Sequence, residues 1–130
     1  MFGFLRPKPL KLIHSALDAL EQEWALPSFS MVHNHVDRLI DIHKATLIPS
    51  VQSGDCTPRQ IAVTQVANCS GDILESGTLH IYRGILSPAG EGVMAVFRRS
   101  LAEMVTMGHA TEADAAEQVS CVLSSIRRVG

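Results

Sequence analysis

The chain has 130 residues, of which 46% are apolar and only 18% are charged. A chain of this length suits one domain with one core, and its apolar content excludes an intrinsically disordered protein. The formal net charge of −2 argues against general nucleic-acid binding, and no apolar run is long enough for a transmembrane helix, so we expect neither nucleic acid nor a membrane as a partner.

Three cysteines, Cys56, Cys69 and Cys121, are an odd number without a CxxC spacing. This pattern supports neither a disulfide framework nor a zinc site, and it favours a reducing, cytoplasmic location. The first residues place their positive charges after a very short apolar patch, which is unlike a signal peptide. We expect residues 1–8 to form a flexible segment.

The first helix is predicted from a stripe of apolar residues that are spaced three and four apart between Pro9 and Pro27. Proline is typical of the first turn of a helix and of the residues that follow its end, so these two prolines mark the limits of the helix. The stripe consists of Leu10, Ile13, Leu17, Leu20 and Trp24.

The second helix is predicted to begin with Ser28 or Ser30 as its N-cap, because a serine hydroxyl can accept a hydrogen bond from the first turn. It should run to about Leu47, where Pro49 stops it. Residues 49–57 then form a polar loop.

The third helix has the best local start signal in the sequence. Thr57 is followed by Pro58 and, three residues after the cap, by Gln60, which together are typical of a capping box. The apolar stripe that follows continues in phase to about residue 86, so we predict one long or kinked helix. A strand over residues 78–86 is the competing interpretation, which we disfavour because no partner strand is predicted.

Two more helices complete the chain. Ser87 and Pro88 begin the fourth helix, which Gly108 ends, and Thr111 precedes the fifth. The five helical segments are joined mostly by short connections. The sequence therefore predicts an all-α fold, a single-domain antiparallel bundle of four to five helices over residues 1–130.

His33 and Asp37 lie four residues apart on the second predicted helix, where two side chains share a face. Asp41 shares that face too, which favours an exposed, solvated pair. His14 and Asp18 repeat this pattern on the first helix. A metal site that uses His33 and Asp37 is the weaker alternative, since ligands from neighbouring helices normally complete such a site.

His43 falls within the apolar arc of the second predicted helix, so we expect its ring to face the core, an internal pocket or a subunit interface. A buried imidazole must be hydrogen-bonded or ligated. Two interpretations stay open, a core histidine bonded to protein atoms and a histidine that contacts a ligand or metal. The arc also contains Val32, Val36, Leu39, Ile40 and Leu47.

His80, Tyr82 and Arg83 are close together in sequence at the edge of the long predicted helix. The three could line a polar pocket for an anionic ligand. A structural role is equally compatible with the pattern, with Arg83 in solvent and the Tyr82 ring packed while its hydroxyl stays in water.

The leading functional hypothesis is a small cytoplasmic helical bundle that acts by protein association, as a homo-oligomer and with a regulatory or adaptor role. The alternative is a bundle that binds a small molecule or metal, with His43 facing an internal pocket. The sequence contains no nucleophile elbow, phosphate loop or cofactor fingerprint. Catalysis by His43 or His80 is therefore the least favoured hypothesis, and the sequence does not say whether a cofactor binds.

Overall fold

The computed structural model describes residues 6–128, with side chains up to Arg127. Within that range the chain is predominantly helical, so the all-α prediction is confirmed, but it forms six helices rather than four to five and it also forms a β-hairpin. The elements are α1 (Lys8–Trp24), α2 (Phe29–Ile42), α3 (Lys44–Gln52), α4 (Pro58–Glu75), β1 (His80–Tyr82), β2 (Ile85–Leu86), α5 (Pro88–Thr106) and α6 (Glu112–Arg128).

α1 has the predicted apolar stripe, all of which is buried, with Pro9 in its first turn. The helix ends at Ala25, whose φ of 48° turns the chain out of the helix. Of the predicted flexible segment 1–8, residues 1–5 lie outside the described residues, whereas the Arg6 side chain forms an ion pair with Asp41 and α1 already includes Lys8.

The second predicted helix is two helices, and the prediction that it runs unbroken to Leu47 is wrong. α2 ends at Ile42, and His43 is the junction, with φ −93° and ψ 16°. Because the helix is interrupted there, residues beyond Ile42 are no longer in phase with the apolar arc of α2. Leu47 is nevertheless buried, since α3 begins a new helix at Lys44.

The prediction that Pro49 ends the helix is wrong. Pro49 lies within α3, which continues to Gln52. The proline ring conflicts with the carbonyl group four residues earlier, which is that of Ala45. Ala45 lies in the first turn of α3, next to the break at His43. The φ angle that proline requires is compatible with a helix, so the chain loses one hydrogen bond and continues. The predicted loop over 49–57 is shorter for this reason.

α4 is the central helix and packs against α1, α2, α5 and α6. Its start confirms the prediction, because Thr57 Oγ1 accepts from the Gln60 N–H and the Gln60 side chain accepts from the Thr57 N–H. Gly71 allows a close contact with α5, since a Cβ at this position would lie 3.2 Å from the Phe97 ring. The core of the fold therefore forms around α4.

The prediction of one long helix to residue 86 is wrong, and the competing strand interpretation is closer to the structure. α4 ends at Glu75, and Gly77 has a φ of 81°. β1 pairs antiparallel with β2, and Arg83 and Gly84, both with positive φ, form the two-residue turn between them. Two positive φ values are typical of the turn that matches the twist of a hairpin. The partner strand thus lies within the same short segment.

α5 and α6 form the last helical pair. Ser87 caps α5 as predicted, its hydroxyl accepting from the Gly90 N–H. Thr111 and Asp114 make reciprocal side-chain-to-backbone bonds at the start of α6. Val122 and Ile126 of α6 are buried. Within residues 6–128, no helix has both the length and the apolar character that are needed to span a membrane.

Candidate functional site

The hairpin brings together three of the residues predicted to bind a ligand, namely His80, Tyr82 and Arg83. Tyr82 and Arg83 are exposed, the Arg83 Nε–H donates to the Tyr82 hydroxyl over 3.1 Å, and the guanidinium carbon lies 5.2 Å from the ring centroid. An exposed cation–π contact of this kind contributes about 0.5–1 kcal/mol. Anion binding by these residues stays a prediction.

His80 is half-buried and lies against the end of α4. Its Nε2–H donates to the Leu74 carbonyl over 3.0 Å, which leaves Nδ1 as an acceptor. Nδ1 is buried and has no hydrogen-bond partner among residues 6–128. The ring therefore anchors the first strand of the hairpin to α4.

His43, the fourth residue predicted to bind a ligand, is exposed, so the prediction that it faces the core or an internal pocket is wrong. Its position explains the difference. His43 is the C-cap of α2, its N–H donates to Leu39, and its carbonyl accepts from Thr46 and Leu47. The backbone of His43 is thus used in the helix junction, while its side chain lies outside the apolar arc.

The pair His33 and Asp37 is part of a larger group that joins α1 to α2. Six side chains form what we call the histidine–carboxylate cluster, three from each helix, and Arg6 borders it. The members are His14, Asp18 and Glu21 from α1 and His33, Asp37 and Asp41 from α2.

His14 is the most buried member of the cluster, at 7% exposure, and carboxylates contact both of its ring nitrogens. Nδ1 lies 2.7 Å from Asp37 Oδ1, and Nε2 lies 3.0 Å from Asp41 Oδ1. A carboxylate oxygen only accepts hydrogen bonds, so a ring nitrogen of His14 that bonds a carboxylate does so as an N–H donor. His14 therefore links two carboxylates of the neighbouring helix.

His33 makes the reciprocal contacts from α2 to α1. Its Nδ1 lies 2.8 Å from Glu21 Oε1, and its Nε2 lies 3.1 Å from Asp18 Oδ1 and 3.2 Å from Asp37 Oδ2. The two oxygens of Asp37 thus contact both imidazoles. The Phe29 ring lies edge-on to the His33 ring, with centroids 6.1 Å apart, and covers one side of the cluster.

Arg6 closes the cluster at one end. Its guanidinium donates to both Asp41 oxygens, over 3.0 and 2.8 Å. Partial burial alone would raise the pKa of the Asp41 carboxyl, but the hydrogen bonds from Arg6 and His14 hold that pKa below its ordinary value. The same bond to Asp41 raises the pKa of Arg6. Asp41 is therefore stabilised as the anion.

The cluster is organised by hydrogen bonds between acids and bases. Within the part of the chain that the structure describes, no three His, Cys, Asp or Glu side chains are placed to hold a metal ion. The weaker prediction, metal binding by His33 and Asp37, gains no support from the described geometry. The arrangement instead cross-links α1 and α2 through paired charges.

The sequence contains a signal for this cluster, but the prediction of two separate exposed pairs interprets it too locally. His14 and Asp18 are predicted as one such pair, and His33 and Asp37 as the other. Each helix, however, carries a histidine followed by two acids at spacings of three or four residues. When two consecutive helices both carry such a pattern, the histidine of each helix can pair with the acids of the other. His14 and His33 are largely buried for this reason.

The hairpin also carries the largest exposed apolar group in the described chain. Ile81, Tyr82 and Ile85 are exposed at 66%, 61% and 61%. We call residues 80–86 the hairpin arm. Tyr82 pairs directly with Ile85, so these two side chains share one face of the arm. Single exposed apolar residues are ordinary, but here two exposed apolar side chains pair directly and a third is their neighbour in the chain, so the arm concentrates exposed apolar area.

A groove between α5 and α6 offers a concave apolar surface. Its volume is about 560 Å³. Arg98 lies at one end and Glu112 at the other, and between them the walls are mostly apolar. We call it the α5–α6 groove; its other lining residues are Leu101, Ala102, Val105, Thr106, Ala115, Ala116 and Val119.

No protein-family model, no protein of curated function and no solved structure matches this chain. The surfaces of the chain itself are therefore what indicate its function.

Proposed function

We propose that this chain acts by protein association, as a homo-oligomer, and that the hairpin arm is its main contact surface. The observation that carries the proposal is the exposure of Ile81, Tyr82 and Ile85 on one short element. The three cysteines are free, as is usual in a reducing compartment, so we place the assembly in the cytoplasm.

The apolar area that the arm presents to water supplies the free energy for association. Fully burying a side chain such as isoleucine is favourable by about 1.5–3 kcal/mol. Association loses several kcal/mol of translational and rotational freedom, so three such side chains support a weak complex rather than a tight one. In a homo-oligomer each contact buries apolar area on both copies, which about doubles this gain, so we expect dissociation constants in the micromolar range, where concentration decides how much oligomer is present.

The arm is held rigidly enough to act as a contact surface. His80 anchors it to α4, and the Ser87 N–H donates to the Leu79 carbonyl at its base. A Cβ at Gly84 would lie 3.1 Å from the Arg127 Cα, so the turn packs closely on the backbone of α6. A fixed element loses less conformational entropy on binding than a flexible one.

Sedimentation equilibrium of the full chain from about 5 to 500 µM tests the proposal. We expect the weight-average mass to rise with concentration for the wild type. Ile81→Ser and Ile85→Ser should each weaken association at least about tenfold, because each removes apolar area from the contact.

Ile42→Ser is the matched control. Ile42 is as exposed as Ile81, at 70%, but it lies at the end of α2 rather than on the arm. We expect its association constant to stay within about twofold of the wild type. A wild-type chain that stays monomeric throughout this range, or an equal effect of Ile42→Ser and Ile81→Ser, would contradict the proposal.

A further inference from the structure

The hairpin arm and the α5–α6 groove lie at opposite ends of the same helix pair. At the arm's base, a Cβ at Gly90 near the start of α5 would lie 3.0 Å from the Leu79 carbonyl oxygen, and the arm's turn packs on Arg127 near the end of α6. The groove is lined instead by the second half of α5 and by Glu112 to Val119 of α6. One layer of the fold therefore carries both surfaces.

The arm does not reach the groove of its own chain. From Arg127 back to Val119 is eight residues, which is about 12 Å along a helix, and the distance to Glu112 is about 22 Å. The arm is held at the Arg127 end by close backbone contact. An arm that fills this groove must therefore come from a second copy of the chain, and every copy carries one arm and one groove.

The two surfaces match in chemistry. The arm presents the exposed side chains Ile81, Tyr82 and Ile85, while the groove is concave and the residues between its ends are mostly apolar. Alanine side chains on both walls leave the groove open. Arg83 at the tip of the arm is cationic, and Glu112 at one end of the groove is an exposed carboxylate. The charges therefore favour one direction of insertion.

We infer that, in the homo-oligomer proposed above, each hairpin arm docks in the α5–α6 groove of a second copy of the chain. This inference rests on the proposed function and names the receiving surface. If two α6 helices align antiparallel about a twofold axis, the arm end of each lies beside the groove end of the other. Both contacts then form at once, and the assembly closes as a dimer.

The groove can be blocked without touching the core. Ala116 lines the groove and is exposed, so an arginine there fills the groove and leaves the packing unchanged. Ala113 is an exposed alanine on the same helix that does not line the groove, which makes Ala113→Arg the matched control. Ala102→Arg blocks the opposite wall from α5 and serves as a second variant.

Sedimentation equilibrium of these full-length variants is the experiment, with circular dichroism to check that each one folds. We expect Ala116→Arg and Ala102→Arg to weaken dimerisation at least about tenfold, and Ala113→Arg to change it by less than about twofold. Loss of dimer in Ile81→Ser but not in either groove variant would show that the arm docks elsewhere. That result overturns this inference and leaves the proposed function standing, whereas a monomeric wild type overturns both.

A charge exchange tests the direction of insertion. Arg83→Asp places a residue that tolerates positive φ at the turn, and Glu112→Arg reverses the groove end. Each change alone should weaken dimerisation a few-fold, and the effect should diminish at high salt. The double variant should recover most of the affinity. If the double variant loses the sum of the two single effects, Arg83 does not meet Glu112.

Discussion

Asp37 Oδ1 lies 2.7 Å from His14 Nδ1, across the boundary between two consecutive helices. The other oxygen of Asp37 lies 3.2 Å from His33, so a single carboxylate connects histidines from both helices. Buried or half-buried polar groups stabilise a fold only when their partners remain in place. The histidine–carboxylate cluster therefore sets how firmly α1 is held on α2.

Replacement of His14 by alanine should lower the free energy of unfolding by about 1–3 kcal/mol, because both Asp37 and Asp41 lose a donor and the ring leaves a gap. Urea denaturation monitored by circular dichroism measures the change. His35 is an exposed histidine on α2, and His35→Ala should change stability by less than about 0.5 kcal/mol.

A double-mutant cycle separates the hydrogen bond of His14 from its packing. His14→Ala, Asp37→Ala and the combined variant should show a coupling energy of about 0.5–3 kcal/mol, since each single change already removes one partner of the same contact. Additive effects would mean that the 2.7 Å contact contributes nothing to stability and that His14 acts only as a packed ring.

The cluster also predicts a dependence on acid. The pKa of Asp41 is lowered in the folded chain, so its contribution to stability is present above its ordinary pKa of 3.8 and is lost as the pH falls through the lower folded value. Asp41→Asn should therefore destabilise the protein at neutral pH, and its deficit relative to the wild type should shrink as the pH falls below 3.8.

The size of the Asp41 effect is limited by solvent. The Asp41 side chain is 40% exposed, so water screens its pairs with Arg6 and His14, and we expect less than about 1 kcal/mol. Thermal unfolding of both proteins from about pH 2.5 to 7 gives the measurement. A deficit of the same size at both ends of this range would rule out titration of Asp41 as its cause.

Local signals in this sequence predict structure well, and the start of α4 shows why. The Thr57 hydroxyl and the Gln60 amide bond each other's backbone N–H groups, so the complete interaction lies within four residues. The Ser87 cap of α5 is equally local. The apolar stripe of α1 is also predictable, because α1 is a continuous helix that buries a single face in the core.

The features that the sequence does not predict depend on where a helix stops or on what faces it. The prediction that His43 lies in an apolar arc assumes an unbroken helix. In the structure α2 ends at Ile42, so the His43 side chain lies outside that arc. The apolar period after Glu75 continues in phase although the chain turns at Gly77 into a hairpin. The spacing of apolar residues at three and four positions therefore does not show where a helix stops and a turn begins.

The candidate site follows the same division. His80, Tyr82 and Arg83 are neighbours in the chain, and the structure keeps them on one hairpin, where Arg83 contacts Tyr82 and the His80 ring bonds α4 instead. The pairing of His14 with Asp37 requires that α1 and α2 pack with a particular register, which no pattern within either helix specifies. Pairing between helices becomes predictable only when the two acid–base patterns are compared with each other.

The three cysteines should differ strongly in reactivity. Burial, with a smaller effect of the Asp72 charge, raises the pKa of the Cys69 thiol to about 11, so roughly one thousandth of it is thiolate at pH 8. Cys121 is exposed and Cys56 is half-buried. With an aromatic disulfide reagent at pH 8, Cys121 should react first, Cys56 more slowly, and Cys69 only after denaturant is added.

Two single substitutions assign these thiol reactions. Cys121→Ser should remove the fast phase, and Cys69→Ser should leave the time course in native buffer unchanged while it lowers the total count in denaturant by one thiol. Fast labelling of Cys69 in the native protein would mean that α4 opens locally, because the buried thiol is otherwise shielded from the reagent.

Gly84 should tolerate a side chain less well than Gly54, although both have a positive φ, of 76° and 80°. An alanine at either position meets the same backbone strain, about 1–2 kcal/mol. At Gly84 the added methyl group also lies 3.1 Å from the Arg127 Cα and 3.2 Å from the Ile126 carbonyl oxygen, whereas nothing lies within 4 Å at Gly54. Backbone atoms cannot move aside as a flexible side chain can, so Gly84→Ala should lose about 1 kcal/mol more than Gly54→Ala in urea denaturation.

The same pair of variants reports on the hairpin arm itself. If the turn packs on α6 as the distances indicate, Gly84→Ala should also speed hydrogen exchange of the amides in β1 and β2, while Gly54→Ala leaves that exchange unchanged. Equal losses of stability together with unchanged exchange in both variants would mean that the arm moves independently of α6. An arm that is free of α6 would lose more entropy on docking, and its contribution to association would be correspondingly smaller.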